Sequence, residues 1–289
     1  MSAKKIKNAF SLIELSIVIL IIGIIIAGVT QGSRLVEHMR LSSARTQTKS
    51  SPVHSVKNLV SWYESTLEES FDPALDADDS AANKVTLWYD IVSTSNNKNN
   101  ASQNTADNQP TYVKNSINGL PTVRFDSASV QFLNLPDGTV PYNNSPYTIF
   151  FVARPTGVID RNGLLGSGSY THNNTNAFRY NAGGRLINYW WDIDIVSEED
   201  AVVADKAHIA TFYYNLSERR IYANGSLITT LASTANEATK VDNTIGKTLD
   251  DAESMNGDIA EIIIFDRALK DEERQSIEAY LSKKWGIKI

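Results

Sequence analysis

The run Phe10 to Val29, FSLIELSIVILIIGIIIAGV, constrains this chain more than any other segment. It is apolar apart from Ser11, Glu14 and Ser16. As a helix rising ~1.5 Å per residue it spans about 30 Å, enough to cross a bilayer core. Lys4, Lys5 and Lys7 precede it, with no acid among them, which predicts a cytoplasmic amino terminus. A secretory signal peptide would carry a shorter apolar core followed by small residues for cleavage. Here Gln31 to Ser50 turns polar, with Leu35, Val36, Met39 and Leu41 interspersed, as in a helix emerging from the membrane. Glu14 is the exception to explain. A charged side chain inside a membrane segment costs about 2.5–3.5 kcal/mol on insertion scales, so its default reading is functional.

The segment Ala9, then Phe10-Ser11-Leu12-Ile13-Glu14 and the apolar run, resembles the amino terminus of type IV pilins and type II secretion pseudopilins. The resemblance implies cleavage between Ala9 and Phe10 by a prepilin peptidase on the cytoplasmic side, usually followed by methylation of the new amine. It also implies that Phe10 and Glu14 serve assembly, the acid pairing with the terminal amine of a neighbouring subunit. The physics fits: Glu14 lies one turn into the helix, where negative charge is favoured, and a pair of charges in lipid costs less than either alone. Two features depart from the family pattern. Ala9 stands where glycine is usual, and no proline interrupts Phe10 to Ser51, leaving Gly23, Gly28 and Gly32 as the sources of flexibility. Cleavage would remove three lysines and take the formal net charge from −6 to −9. The implied layout is a leader over 1–9, a transmembrane and assembly helix over 10–51, and a folded module over 57–289. The precursor is expected in the bacterial inner membrane, and the assembled subunit in a pilus or pseudopilus with its carboxy-terminal module periplasmic or extracellular.

After Pro52 the texture changes to short β-favouring runs between Asn-, Ser-, Asp- and Gly-rich loops. Strands are expected over Val85–Tyr89, Thr122–Asp126, Thr148–Arg154, His208–Tyr214, Arg219–Ala223, Leu227–Leu231 and Ile259–Phe265, the pattern of a sandwich. Asn224-Gly225 is a type I′ hairpin signal. Ser93–Asn108 and Asp242–Asn256 are read as long loops, a frequent home of binding residues. Ile277, Tyr280, Leu281 and Trp285 share a helix face suited to packing on the sandwich. Several pieces carry a second resemblance: Leu59-Val60-Ser61-Trp62-Tyr63, Leu87-Trp88-Tyr89-Asp90, Asn118-Gly119-Leu120-Pro121, and Asn256-Gly257-Asp258-Ile259-Ala260-Glu261 through Leu269. They resemble the laminin G-like, concanavalin A-like jelly-roll superfamily. The expected fold is mainly β, a long amino-terminal helix followed by a jelly-roll sandwich and a short carboxy-terminal helix.

Composition narrows the chemistry. There is no cysteine, so disulfides, thiolate metal sites and a Cys nucleophile are excluded. The four histidines are far apart and no pair has zinc-ligand spacing. A net charge of −6 argues against a nucleic-acid surface, and no nucleic acid is expected as a partner.

Four groups remain as candidates. In Tyr189-Trp190-Trp191-Asp192-Ile193-Asp194-Ile195-Val196-Ser197-Glu198, a strand would put Asp192 and Asp194 on one face, with Trp190 and Trp191 free to stack on sugar rings. Some jelly-roll glucanases carry Glu-x-Asp-x-x-Glu on a strand, their carboxyl groups about 5–5.5 Å apart for a retaining mechanism. Here the first acid is Asp and Glu198 falls one residue too far along; exposed structural acids are the alternative. Asp90 with Asn96, Asn97, Asn99 and Asn100 offers oxygen ligands suited to calcium, or a hydrogen-bonded polar turn. Asp242, Asp250, Asp251 and Glu253 form an acidic loop, a metal site (Asp250, Asp251) or a solvated one. Glu261 alternates with Ile259, Ile263 and Phe265 and reads as a satisfied structural carboxylate, with Arg124 or Arg267 as its partner.

The expected function is a pilin-like, minor filament subunit displaying a binding domain for a glycan or surface protein, with no catalytic role and calcium as the only cofactor considered. The alternatives are a displayed glycan-cleaving enzyme using Asp192, Asp194 and Glu198, and a purely structural pseudopilin.

Overall fold

The computed structural model describes residues 12–72, 83–92, 98–157, 159–232 and 235–289. Ala9, Phe10, Asn96 and Asn97 lie outside them. The chain divides into two compact units, one up to Ser43 and one from Ala44 to Ile289. In the first, α1 (Leu12–Lys49) runs unbroken through Gly23, Gly28 and Gly32. None of its apolar window is buried by the protein, so lipid or other subunits must cover it.

From Ala44 on, the last turns of α1 belong to the second unit. Arg45 ties them down, donating through Nε to the Thr66 carbonyl (2.8 Å) and through Nη1 to Glu68 (2.5 Å). The rest of this unit is two antiparallel sheets, with strands numbered in chain order. The first sheet holds β1 (Leu59–Glu64), β4 (Thr111–Ile117), β5 (Leu120–Phe125), β7 (Tyr147–Pro155), β12 (His208–Tyr214), β13 (Glu218–Ala223), β14 (Ser226–Ala232) and β16 (Gly257–Phe265). Its order is β14-β13-β12-β7-β16-β5-β4, with β1 also on β16. A bulge between Ile259 and Glu261 lets β16 pair β5 along its first half and β1 along its second. The second sheet holds β2 (Leu87–Trp88), β3 (Ala101–Ser102), β6 (Leu133–Asn134), β8 (Gly163–Gly166), β9 (Ala177–Asn181), β10 (Arg185–Tyr189), β11 (Ile195–Val196) and β15 (Thr244–Ile245), in the order β11-β10-β9-β8-β15-β6-β3-β2.

All seven expected strands are present within a residue or two, although the first shortens to β2. The stretches read as long loops are not wholly loops. β3 lies in one and β15 in the other, and both complete the second sheet. Asn224 and Gly225 have φ of 47° and 77°, the positive pair that a type I′ turn requires.

β7 is buried on both faces, which explains its continuous apolar run. Phe151 meets Phe178 and Phe212 between the sheets, while Phe150 packs against Phe265 on the outer face. That outer face is covered by α2 (Asp271–Trp285), whose Ile277, Tyr280, Leu281 and Trp285 are all buried. Arg267 and Glu273 form a two-bond ion pair (2.6 and 2.9 Å), and the same carboxylate accepts the Lys270 N–H, fixing the start of α2.

The outer face of the second sheet is crossed by the segment 247–254. Gly163 makes this possible: a Cβ there would sit 2.4 Å from the Glu253 carbonyl and 2.5 Å from the Thr248 amide. Gly163→Ala is therefore expected to destabilise the fold by about 1–3 kcal/mol. Urea unfolding of the detergent-solubilised chain measures it.

Candidate functional site

Three segments converge on the outer face of the second sheet, around the end of β10: 168–175 between β8 and β9, 190–194 between β10 and β11, and 247–254. Asn173 joins the first two, its amide donating to the Trp190 carbonyl (3.1 Å). Tyr170 and Trp191 meet edge to face with ring centroids 3.9 Å apart, and Tyr189 lies 5.9 Å from Trp191. Tyr170 is 45% exposed, and Tyr189 and Trp191 are partly exposed. The Arg179 guanidinium sits 5.0 Å from the Tyr189 ring centre. Glu253, buried, takes Arg179 at 3.0 Å and Arg161 at 3.2 Å on one oxygen, while Thr248 donates to the other at 2.6 Å. The Tyr170 hydroxyl reaches Asp250 (3.4 Å), and His172 lies 3.4 Å from the exposed Asp192. The result is an aromatic corner with polar groups on its rim. Sugars bind to such surfaces through ring stacking and rim hydrogen bonds.

This geometry corrects several expectations. Residues 190–194 are not a strand. Trp191 and Asp192 have φ of 57° and 68°, so the chain turns and the alternation that would align Asp192 with Asp194 is lost. Trp190 is not a sugar platform. It is fully buried, with Arg219 3.7 Å over its ring, Tyr214 edge-on at 4.9 Å and its indole N–H donating to Asn176. Asp194 holds the turn by accepting the Trp190 amide (2.8 Å). Burial pushes its carboxyl above the ordinary range, against the pull of that amide and of Arg179 and Arg219. Glu198 is exposed beyond β11 and shares no strand with the two aspartates.

The described donors read as calcium ligands are engaged within the protein. Asp90 is buried, and its oxygens accept the amides of Trp62, Val92 and Asn99 at 3.0–3.2 Å, the work of a polar turn. Asn99 donates to the Val60 carbonyl and accepts from the Tyr63 hydroxyl through its own carbonyl. Asp250 caps a short 3₁₀ turn by accepting the Ala252 amide, and Asp251 pairs with Lys247 (2.5 Å). Among the described residues no three His, Asp or Glu side chains converge to hold a metal ion.

Glu261 is a satisfied structural carboxylate, but neither expected arginine serves it: Arg124 pairs with Asp258 and Arg267 with Glu273. It accepts instead from Trp62, Tyr280, Trp285 (2.8 Å each) and Lys284 (2.9 Å).

Two residues that matter here escape the sequence reading. Arg179 sits in a strand of five ordinary residues, and only its polarity within an apolar strand marks it. Arg219 is buried on β13, donates to the carbonyls of Asn188 and Ile193, and so positions the turn that presents Trp191.

The sandwich defined by these sheets is a lectin-type jelly roll. A family model described as the concanavalin A-like lectin/glucanases superfamily matches residues 127–273, and the chain belongs to that superfamily. A second model, the prokaryotic N-terminal methylation motif, matches residues 4–30. A search of curated proteins found no significant match. Among solved structures, domain 4 of AbnA, an extracellular arabinanase from Geobacillus stearothermophilus solved with arabinotriose, is similar at 14% identity. Its TM-score is 0.50, over 76% of this chain and 98% of that one. The binding domain of Paraclostridial Mosquitocidal Protein 1 is similar at 15% identity and TM-score 0.56, over 79% and 55%. A GH54 α-L-arabinofuranosidase is similar at 12% identity and TM-score 0.57, over 78% and 63%. This chain thus spans less than two thirds of the latter two, and at these identities the likeness is one of fold.

Proposed function

We propose that this chain is a minor, pilin-like subunit of a type IV pilus or related secretion filament. Its jelly roll is a non-catalytic module that binds a surface glycan through the corner of Tyr170, Tyr189 and Trp191. The layout is a leader over 1–9 removed by a prepilin peptidase, an assembly helix over 10–51 and a binding sandwich over 57–289. The precursor resides in the inner membrane and the assembled domain faces outward.

The observation that carries assembly is Glu14, one turn into an apolar helix that the protein itself leaves uncovered, within a matched methylation motif. The aromatic corner supports binding over catalysis, because Asp194, Asp250 and Glu253 beside it are committed to a turn, a cap and ion pairs. The expected outcome on a glycan array, arabino-oligosaccharides included, is binding by the solubilised chain that falls about tenfold or more in Trp191→Ala and Tyr170→Ala. A blank array, or binding that both variants retain, overturns the glycan reading. Reducing-end release lost in Asp194→Asn would establish the enzyme instead.

A further inference from the structure

A second concavity lies on the opposite side of the sandwich, on the outer face of the first sheet, where α2 ends. Its volume is about 530 Å³, within the range of small-molecule sites, and its walls include Ser116, Arg154, Asp205, Lys206, Asn224 and Lys288. β4 and β7 supply Ser116 and Arg154, the segment before β12 supplies Asp205 and Lys206, and the chain after α2 supplies Lys288.

Its electrostatics differ from those of the whole. The chain carries −6, yet this hollow gathers three cations. Arg154 is half committed: it donates to the buried Asp258 and, at 2.9 Å, to Ser116. Arg124 neutralises that same Asp258, donating at 2.7 and 3.1 Å, so the three groups retain a net positive charge. Among the described residues, the ammonium groups of Lys206 and Lys288 have neither an ion pair nor a hydrogen bond. The carboxyl end of α2 adds roughly half a negative charge, less than the two free lysines supply.

One wall group works the other way. Asp205 is exposed, and its carboxylate has no side-chain donor among the described residues. It would repel a bare anion at close range, but it accepts hydroxyl hydrogens. Asn224, on the same rim, holds the Ile209 amide through its Oδ1, which leaves its NH₂ to donate. Cations for a carboxylate, with an acceptor and an amide donor for hydroxyls, select a hydroxylated acid over a simple anion or a neutral sugar.

We infer that this hollow is a binding site for a compact sugar acid of the hexuronate class, with Lys206, Lys288 and Arg154 facing the carboxylate and Asp205 the hydroxyls. The site shares no residue with the aromatic corner and does not rest on it. Titrating the detergent-solubilised full chain with glucuronate, glucose and acetate in parallel tests it. Saturable binding of glucuronate is expected with a dissociation constant on the order of 1 mM, with glucose and acetate at least ~tenfold weaker. Lys206→Ala with Lys288→Ala should weaken glucuronate about tenfold or more and flatten its salt dependence, both lysines lying on the surface where folding is spared. Glycan-array binding through the corner should survive Lys206→Ala with Lys288→Ala, which separates the two sites. Equal binding of glucose or acetate, retention in the double variant, or no saturation by about 10 mM glucuronate overturns the assignment.

Discussion

Glu14→Leu is expected to remove this subunit from sheared filaments while leaving its level in the membrane unchanged. The apolar helix remains long enough to span with leucine in place of the acid, and insertion becomes easier because a charged side chain in a membrane segment is costly. On the proposed assembly, what is lost is the partner of a positive amine at the processed terminus of an adjoining subunit. An uncompensated charge left in a low-dielectric contact costs on the order of 3–5 kcal/mol. At 1.4 kcal/mol per factor of ten, incorporation should fall roughly 100-fold or more. Glu14→Gln keeps size and polarity but not charge, so it should fail almost as completely if the pairing is ionic. Quantitative immunoblotting of filament and membrane fractions reads both variants. Undiminished incorporation of Glu14→Leu would remove the electrostatic basis for assembly, and a loss from both fractions would assign Glu14 to membrane stability.

The sequence reading succeeded where one short-range rule governs. The apolar run with its single acid, the β-favouring runs around Phe151 and Phe212, the Asn224-Gly225 turn and the buried face of α2 each follow from periodicity or backbone preference. It failed where tertiary contacts choose between readings that sequence leaves equal. Trp190 and Trp191 are adjacent and identical in type, yet a left-handed turn sends one into the core under Arg219 and leaves the other at the surface. Asp90 has the composition of a metal ligand, but the amides that fill it come from Val92, Asn99 and Trp62, the last 28 residues away in sequence. Short strands such as β3 and β15 hold two residues each and cannot carry a period. The corner is assembled from three segments, and one of them, 247–254, can approach the sheet only because Gly163 has no side chain.

The largest loss of stability is expected from Lys284→Met. Lys284 is wholly buried, with its ammonium 2.6 Å from Glu64 and 2.9 Å from Glu261, both also buried. Glu64 further accepts the Thr66 and Leu67 amides and the hydroxyls of Thr66 and Ser70, while Tyr280 links Glu261 to Thr48 at the end of α1. Five elements thus meet around one cation: the ends of α1, β1 and α2, the middle of β16, and the turn at 66–70. Methionine fills the volume but leaves two buried carboxylates facing one another, so breaking this cluster should cost about 3–5 kcal/mol at neutral pH. The pH dependence gives a second reading. Burial pushes Glu64 up, but Lys284 and the Thr66 and Leu67 donors outweigh it, so its carboxyl sits below the ordinary glutamate range. A depressed folded value means the contribution is present above the unfolded value, about 4.3, and is lost as pH falls through the folded one. In Lys284→Met the main opposing charge is gone and burial dominates, so Glu64 prefers to be protonated. The deficit of the variant relative to the parent should therefore be greatest near neutrality and shrink on acidification toward about pH 4. Urea unfolding across pH measures both the size and the slope. A variant as stable as the parent at pH 7, or a deficit that widens in acid, would show that Lys284 is not the charge holding Glu64 ionised.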